Sequence, residues 1–522
     1  MAGYLNARKM LEGVRRALIT DPAKRLMTEA IPIIDDALAT RIIDLAMRIG
    51  AAMLSVGASA REVAQATLRI TSIYGLKKAH VDVTFTSLTV SDHRDGAGSP
   101  VTLMQVVRSV GADHQKLQRL QTLVNEIERG MELHDAVAEF HRIRRIPFLY
   151  RAPIVVGVSA LLAVAVAVMF QASWVVLLAA GVASLCVALV QRGLSRLRVP
   201  VFFTQIAGGA VLVGFTALIA ALGRMEIEPF VGVRSTLIVS SGIVLMLAGV
   251  AVVGAAQDAI DGFTLTATGR ILDLTIMTLG LAVGILLGLQ IVERFGVGIP
   301  VPSEAVVMGA WPYQLLGAIG IAAAVAIING GGLRIVVVSA LLGGLAMLGY
   351  YGIEQLANMP AAGGALFGAL LASFVGAVFA AKLHVPSVAV TTAAIIPLVP
   401  GAALFRGLLG VVQTGGDVET LLASFDALLD VAMIGVALAA GATLGTFLGT
   451  PIRERISGQR FSFRPAARNT GGAGTAPLEV VPVEPREIPT SPLPDPVAEP
   501  IPRGDEPALT RPIDARELRD ER

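Results

Sequence analysis

Cysteine is almost missing from this chain. Its one example, Cys186, lies inside an apolar run, so disulfides and thiolate metal sites are excluded and it reads as a small buried hydrophobe. Charge is scarce too, at 16% of residues, and most of it falls before Arg151 or after Thr450. The formal charge is +2 and no basic stretch is long enough to track a phosphate backbone, which excludes a nucleic-acid partner. Also missing are a Gly-rich phosphate loop, a G-x-S-x-G elbow and a metal-ligand spacing among His80, His93, His114, His134 and His141. Those gaps argue against an ATP-driven machine acting without a separate subunit, a serine hydrolase and a metalloenzyme. Neither a metal nor another cofactor is expected.

What is plentiful is apolar surface. Of 522 residues, 54% are hydrophobic and 55 are glycine, and the mean hydropathy is +0.70. That is the profile of an integral membrane protein. The uneven charge divides the chain into a basic amphipathic arm (1–35), a soluble cytoplasmic α+β domain (36–150), an apolar region and a proline-rich tail (457–522). The arm is expected to be loosely ordered, with an interfacial anchor as the alternative. The tail, with so little to bury, is expected to be disordered and cytoplasmic.

In the soluble zone, Ile42, Ala46, Ile49 and Met53 line one helical face and Gly57 ends that helix. Ser59 and Glu62 make a capping box for the next helix, with Val63, Ala66 and Leu68 as its apolar positions. "HVDVTF" reads as one strand, "DHRDGAGSP" as a turn and "VTLMQVV" as a second strand. Helices over about Asp113–Glu128 and Met131–Arg142 then lead to the membrane.

The apolar region holds ten stretches of near-spanning length, beginning near Pro153, Trp174, Val201, Ser235, Ile271, Tyr313, Leu333, Ala361, Ser387 and Leu429. Basic loops at "HRIRRIPFLYR", "QRGLSRLR", Arg334, Lys382 and "IRERISGQR" fall on one side, which places both termini in the cytoplasm. "VRSTLIVSSGIVLMLAGVAVV" aligns without gaps on "VPSVAVTTAAIIPLVPGAALF" at an offset of 152, so that Ser235 meets Ser387, Ser240 meets Thr392 and Gly249 meets Gly401. At an offset of 157, Asp273 meets Asp430, Gly284 meets Gly441 and Gly288 meets Gly445; "AGGA" recurs at 207–210 and 362–365. The unit is therefore five spans, an odd number, and the second copy (310–450) must cross upside down relative to the first (151–295). The expected fold is an α-helical polytopic membrane protein with about ten transmembrane helices in a 5+5 inverted repeat. Such repeats build alternating-access transporters with a site near the midplane; the alternative is a duplication kept for packing.

Polar groups gather at the matched places. Asp258 and Asp261 close an apolar run, one helical turn apart, with Arg270 and Asp273 following. A buried carboxylate rises toward neutrality and can then exchange a proton during a cycle. Solvated helix-end charges are the alternative, and it stands most evenly for Asp261. Pro397 and Pro400 interrupt a span, so the carbonyls of Ala393 and Ile396 lose their helical donors and Gly401 lets the backbone bend. Free carbonyls suit an ammonium group and a half-helix N-terminus suits a carboxylate, a combination that fits an amino-acid zwitterion. The hydroxyls of Ser240, Ser241, Thr391 and Thr392 are the side chains expected to meet it; a kink used purely for packing stands as the rival.

"SGIVLMLAGVAVVGAAQDAIDG", "ATGRILD", "IIPLVPGAALFRG" and the soluble "LSVGASAREV" with "VDVTFTSLTVS" resemble the threonine/serine exporter family of bacterial inner membranes, over about residues 40–450. The resemblance implies efflux of L-threonine and L-serine driven by the proton motive force. It implies functional positions at Gly249, Gln257, Asp258, Gly262, Arg270 and Asp273, and at Pro397, Pro400, Gly401 and Arg406. Asp261 lies outside that pattern, the pairing of Asp430 with Asp273 rests on the repeat alone, and the long tail departs from the family core. The partners implied are the two amino acids, protons and the lipid bilayer, with homo-oligomerisation left open. An exporter of another small metabolite such as a dicarboxylate, or a membrane-anchored sensor or scaffold, remain the alternatives.

Overall fold

A computed structural model describes residues 35–93, 100–107, 111–246, 249–296, 308–357, 359–383, 385–401, 403–404, 407, 410 and 418–457. The basic arm, the proline-rich tail, most of the "DHRDGAGSP" turn and Arg406 lie outside them.

Helix α1 (Asp36–Ser55) starts where the Asp35 carboxylate accepts from the Leu38 N–H at 2.7 Å. It stops before Gly57, whose φ of +98° suits a residue without Cβ. Helix α2 (Ala60–Ile73) is capped by Ser59, which accepts from the Glu62 N–H at 3.3 Å. Three antiparallel strands follow, β1 (Ala79–Thr84), β2 (Ser87–Asp92) and β3 (Val101–Val106), in that order across the sheet. The two-strand expectation therefore needs correcting. "TSLTV" turns back at Phe85-Thr86, with Thr84 facing Ser87 and Val83 facing Leu88. That two-residue turn carries no Gly, Asn or Asp, so its sequence lacks the usual hairpin signal. Helices α3 (His114–Glu128) and α4 (Leu133–Arg145) complete this part. Its core joins Ile42, Ile49 and Met53 to Val63, Leu88, Val90, Leu120 and Ile127.

Two of the ten expected spans carry no single helix of spanning length among the described residues. The long helices are α5 (Ala152–Met169), α6 (Trp174–Arg196), α7 (Val201–Arg224), α10 (Thr264–Arg294), α11 (Trp311–Ile328), α12 (Leu333–Ala357), α13 (Ala361–Leu383) and α15 (Val418–Ser457). Among the described residues these eight are long and apolar enough to cross a membrane. The fourth expected span is described as α8 (Ser235–Met246) and α9 (Gly249–Ile260), with 247 and 248 outside the described residues; the ninth is α14 (Ser387–Ile395) followed by a 3-10 turn over Ile396–Leu398. At about 1.5 Å per residue α14 with its 3-10 turn falls well short of the roughly 30 Å hydrocarbon layer. Starting points agree with expectation except at α10 and α15, which begin several residues earlier because their polar first turns continue the helix outside the apolar window.

The two five-helix sets pack alike. In each, the first helix lies on the second, the second on the third, the third on the fifth, and the short fourth element against the first three. The third–fifth crossing is close in both: a Cβ on Gly284 would collide with the Ile206 carbonyl, and one on Gly441 with that of Leu366. The "AGGA" glycines are not equivalent, since Gly209 faces the backbone of Leu281 and Ile285 while Gly364 faces Tyr350. Helix ends form two groups. At one end Arg224 donates to the Gly296 carbonyl at 3.1 Å, and the Ala310 N–H donates to Gln171 Oε1 at 3.1 Å. At the other lie the α/β part, the α9–α10 turn and the α11–α12 turn.

Candidate functional site

The first candidate place is where α8 meets the proline-interrupted element that follows α14. In the second copy the 3-10 turn ends at Leu398 and helical backbone resumes at Gly401, the positions aligned with Met246 and Gly249. Prolines stand at this register only in the second copy. A Cβ on Gly401 would stand 2.9 Å from Val244 Cγ2 and 3.5 Å from the Ser240 carbonyl, so the two elements touch where glycine permits it. They also exchange side chains: Val244 is buried in the core of the second set and Leu404 in that of the first.

Of the four hydroxyls expected to meet cargo, three are engaged locally. Ser241 donates to the Leu237 carbonyl at 2.7 Å, Thr391 to that of Ser387 at 2.9 Å and Thr392 to that of Val388 at 2.7 Å. Each keeps lone pairs but has committed its proton. Ser240 differs: it is 1% exposed and its Oγ has no partner among the described residues. The expected free carbonyl at Ile396 is not free, because the Val399 N–H donates to it at 3.0 Å. Proline removes a helical donor, but the 3-10 turn supplies one from a residue nearer in sequence. The Gly401 N–H is likewise used, on the Val399 carbonyl at 2.9 Å.

The acids sit elsewhere, against the α/β part. Asp258, near the end of α9, is fully buried; its Oδ1 accepts from the Ala60 N–H at 3.0 Å and its Oδ2 lies 2.8 Å from Arg270 Nη1. That second contact is ionic and not aligned as a hydrogen bond. Ala60 is the first residue of α2, so the carboxylate meets an unpaired N–H at the positive end of a helix dipole. Arg270 also donates to the Ala58 carbonyl at 3.0 Å, gripping the turn before α2 from two sides. Asp261 does not share this contact: it lies in the turn after α9 and pairs with Arg61 at 2.7 Å. Burial raises its carboxyl above the ordinary range, the Arg61 charge opposes this, and Asp258 adds to it. Around the acids, Thr266 donates to the Val83 carbonyl at 3.1 Å, Phe263 packs into the α/β core and the Phe85 ring covers Gly269.

Of the sequence-derived positions, Asp258, Gln257 and Arg270 therefore come together, with Gln257 buried one residue before the acid. Asp273 and Asp430 do not join them: both are exposed on α10 and α15. Pro397, Pro400, Gly401 and Ser240 form the separate crossing, with Gly249 at the start of α9. Sequence reading missed Arg61, Ala58, Ala60 and Phe85 as partners of the acids. The one available signal was "GASAREV", which reads as a helix cap and resembles the family but names no partner.

With this geometry in hand, comparison with known sequences is direct. A family model described as "Putative threonine/serine exporter" matches residues 44–292, and one described as "Threonine/Serine exporter, ThrE" matches 314–448. The boundary between them falls between α10 and α11. A "Probable threonine/serine exporter" of Mycobacterium tuberculosis (strain ATCC 25618 / H37Rv) is 31% identical over 441 residues, 80% of this chain and 78% of the relative. A "Threonine/serine exporter" of Corynebacterium glutamicum is 27% identical over 463 residues, 87% of this chain and 91% of the relative. No solved structure matches.

Proposed function

Because this chain belongs to the threonine/serine exporter family, a multi-pass membrane protein by its apolar helices, we propose that it moves L-threonine and L-serine out of the cell across the inner membrane, driven by the proton gradient. In this reading both short elements complete a crossing, giving ten traverses in two inverted sets of five, with the α/β part and both termini in the cytoplasm. The repeated packing order supports the inversion.

The observation that carries the reading is the contact of α8 with the proline-interrupted element at Gly401 and Ser240. Interrupted backbone inside a membrane persists where protein or water satisfies it, and half-helix ends there offer dipoles to a zwitterion. Ser240 holds the uncommitted hydroxyl for the side-chain hydroxyl of threonine or serine; Ser241, Thr391 and Thr392 offer acceptor lone pairs. Asp258 and Asp273 are the proposed proton carriers; Asp258 takes its proton on Oδ2, the oxygen facing Arg270, while Oδ1 keeps the Ala60 N–H. Asp430, matched to Asp273, is the equivalent group in the second copy, and Arg406 completes the substrate region beyond the described residues.

Reconstituted vesicles with an imposed pH gradient test this. Wild type is expected to drive threonine efflux, and Asp258→Asn to retain threonine exchange at equal pH while losing gradient-driven flux by tenfold or more. Gradient-driven efflux that is unchanged in Asp258→Asn removes the proton role. Absence of threonine and serine flux from folded wild type removes the substrate.

A further inference from the structure

The α/β part touches both five-helix sets at one end of the bundle, and the two contacts use the same chemistry with different strength. Each takes the first free N–H of a soluble helix. At α2 the Ala60 N–H finds the Asp258 carboxylate at 3.0 Å, on the first set. At α3 the His114 N–H finds the Asn329 carbonyl at 2.9 Å, in the turn between α11 and α12 of the second set. The first contact is charge-assisted and is reinforced by Arg270 on Ala58, Arg61 on Asp261, Thr266 on Val83 and the Phe85 ring over Gly269. The second is neutral. Its support is Tyr150, which donates to the Gly331 carbonyl at 2.8 Å, and the Phe148 ring beside Gly330. Among the described residues no ion pair reinforces it.

We infer that the α/β domain is a strap, fixed to the first set at Asp258 and Arg270 and latched to the second at Asn329, and that the latch opens once in each transport cycle. The inference rests on the exporter reading for its cycle. Sets that move against each other must separate at the cytoplasmic end to admit cargo. One compact body with a single core cannot stay bonded to both while they part. The contact that gives way is the one with fewer and weaker bonds, since charged hydrogen bonds hold roughly twice as strongly as neutral ones. The turn "NGGG" at 329–332 is built to let go: Gly330 has a φ of +72°, and its carbonyl groups rather than side chains make the bonds. Arg270 and Arg61 are then positioning residues, which set where the strap is anchored without touching cargo.

Two cysteine pairs in a Cys186→Ala background of the full chain separate latch from anchor. His114→Cys with Asn329→Cys bridges the latch. Phe85→Cys with Gly269→Cys bridges the anchor, where the Phe85 Cβ lies 2.9 Å from the position of a Gly269 Cβ. Bridging the latch with a short thiol crosslinker is expected to lower vesicle threonine efflux at least tenfold, reversed by reductant, while bridging the anchor leaves efflux within twofold. A bridged latch that transports at the unbridged rate, or an anchor bridge that blocks equally, overturns the strap. Amide hydrogen exchange in the wild-type chain reads the same contrast without any flux. The His114 N–H is expected to show at least tenfold less protection than the Ala60 N–H, and equal protection overturns the latch. Threonine flux that is absent from wild type, alongside that exchange contrast, counts against the substrate and leaves the strap standing.

Discussion

Remove Arg270 and the anchor of the α/β domain should fail in a measurable way. Asp258 is 0% exposed and Arg270 17%, so Arg270→Met strands a buried carboxylate whose remaining donor in the structure is the Ala60 N–H. Breaking a buried pair from one side costs about 3–5 kcal/mol. Asp258→Asn keeps an oxygen for Ala60 and strands only the partly solvated guanidinium, for which about 1–2 kcal/mol is the better figure. The double variant removes both charges at once and should cost little more than Asp258→Asn alone. The cycle is therefore sub-additive, with a coupling of at least about 2 kcal/mol. Hydrogen exchange at the Ala60 amide reports the opening equilibrium directly. A loss of 3 kcal/mol appears there as about two orders of magnitude in protection. If Arg270→Met changes that protection less than threefold, or if the two single effects add, the ion pair is not what anchors the domain.

Other measurements follow from the same geometry. Burial pushes the His114 imidazole down to about 4 from 6.5, and the nearby Asp113 and Lys116 are paired with each other. The unfolded chain takes up its proton first as pH falls. Stability from this group is therefore complete above about pH 6.5 and is lost toward pH 4, by about 3 kcal/mol in all; His114→Gln should flatten a melting-temperature series across that range. Gly284→Ala and Gly441→Ala, each driven into a carbonyl of the facing helix, should each destabilise by about 1–3 kcal/mol. Gly435→Ala, with nothing within 4 Å, should be neutral or stabilising in the same detergent melts. Cysteines replacing Arg224 and Lys382 should react with an impermeant reagent from opposite faces of the membrane; labelling from one face sinks the inversion.

The positions of the helices were legible because hydropathy and length decide them locally: a stretch that is apolar all round makes a buried or lipid-facing helix whatever surrounds it. The matched registers at Ser235 and Ser387, and at Gly249 and Gly401, were legible for a similar reason, since a repeat is written in order along the chain. The caps at Ser59 and Gly57 were readable from a few neighbouring residues. Tertiary structure alone decided the partners. Asp258 could be known as an acid at the end of an apolar run, but the N–H that it accepts belongs to Ala60, 198 residues earlier. Asp261 went to Arg61, and Arg270 to the carbonyl of Ala58. Asp273 shares α10 with Arg270, three residues on, yet stays exposed while Arg270 pairs with Asp258. Sequence spacing measures distance only within one helix. Between helices, burial and the search of each charged group for a counter-charge choose the neighbour, and that choice depends on where the whole chain has folded.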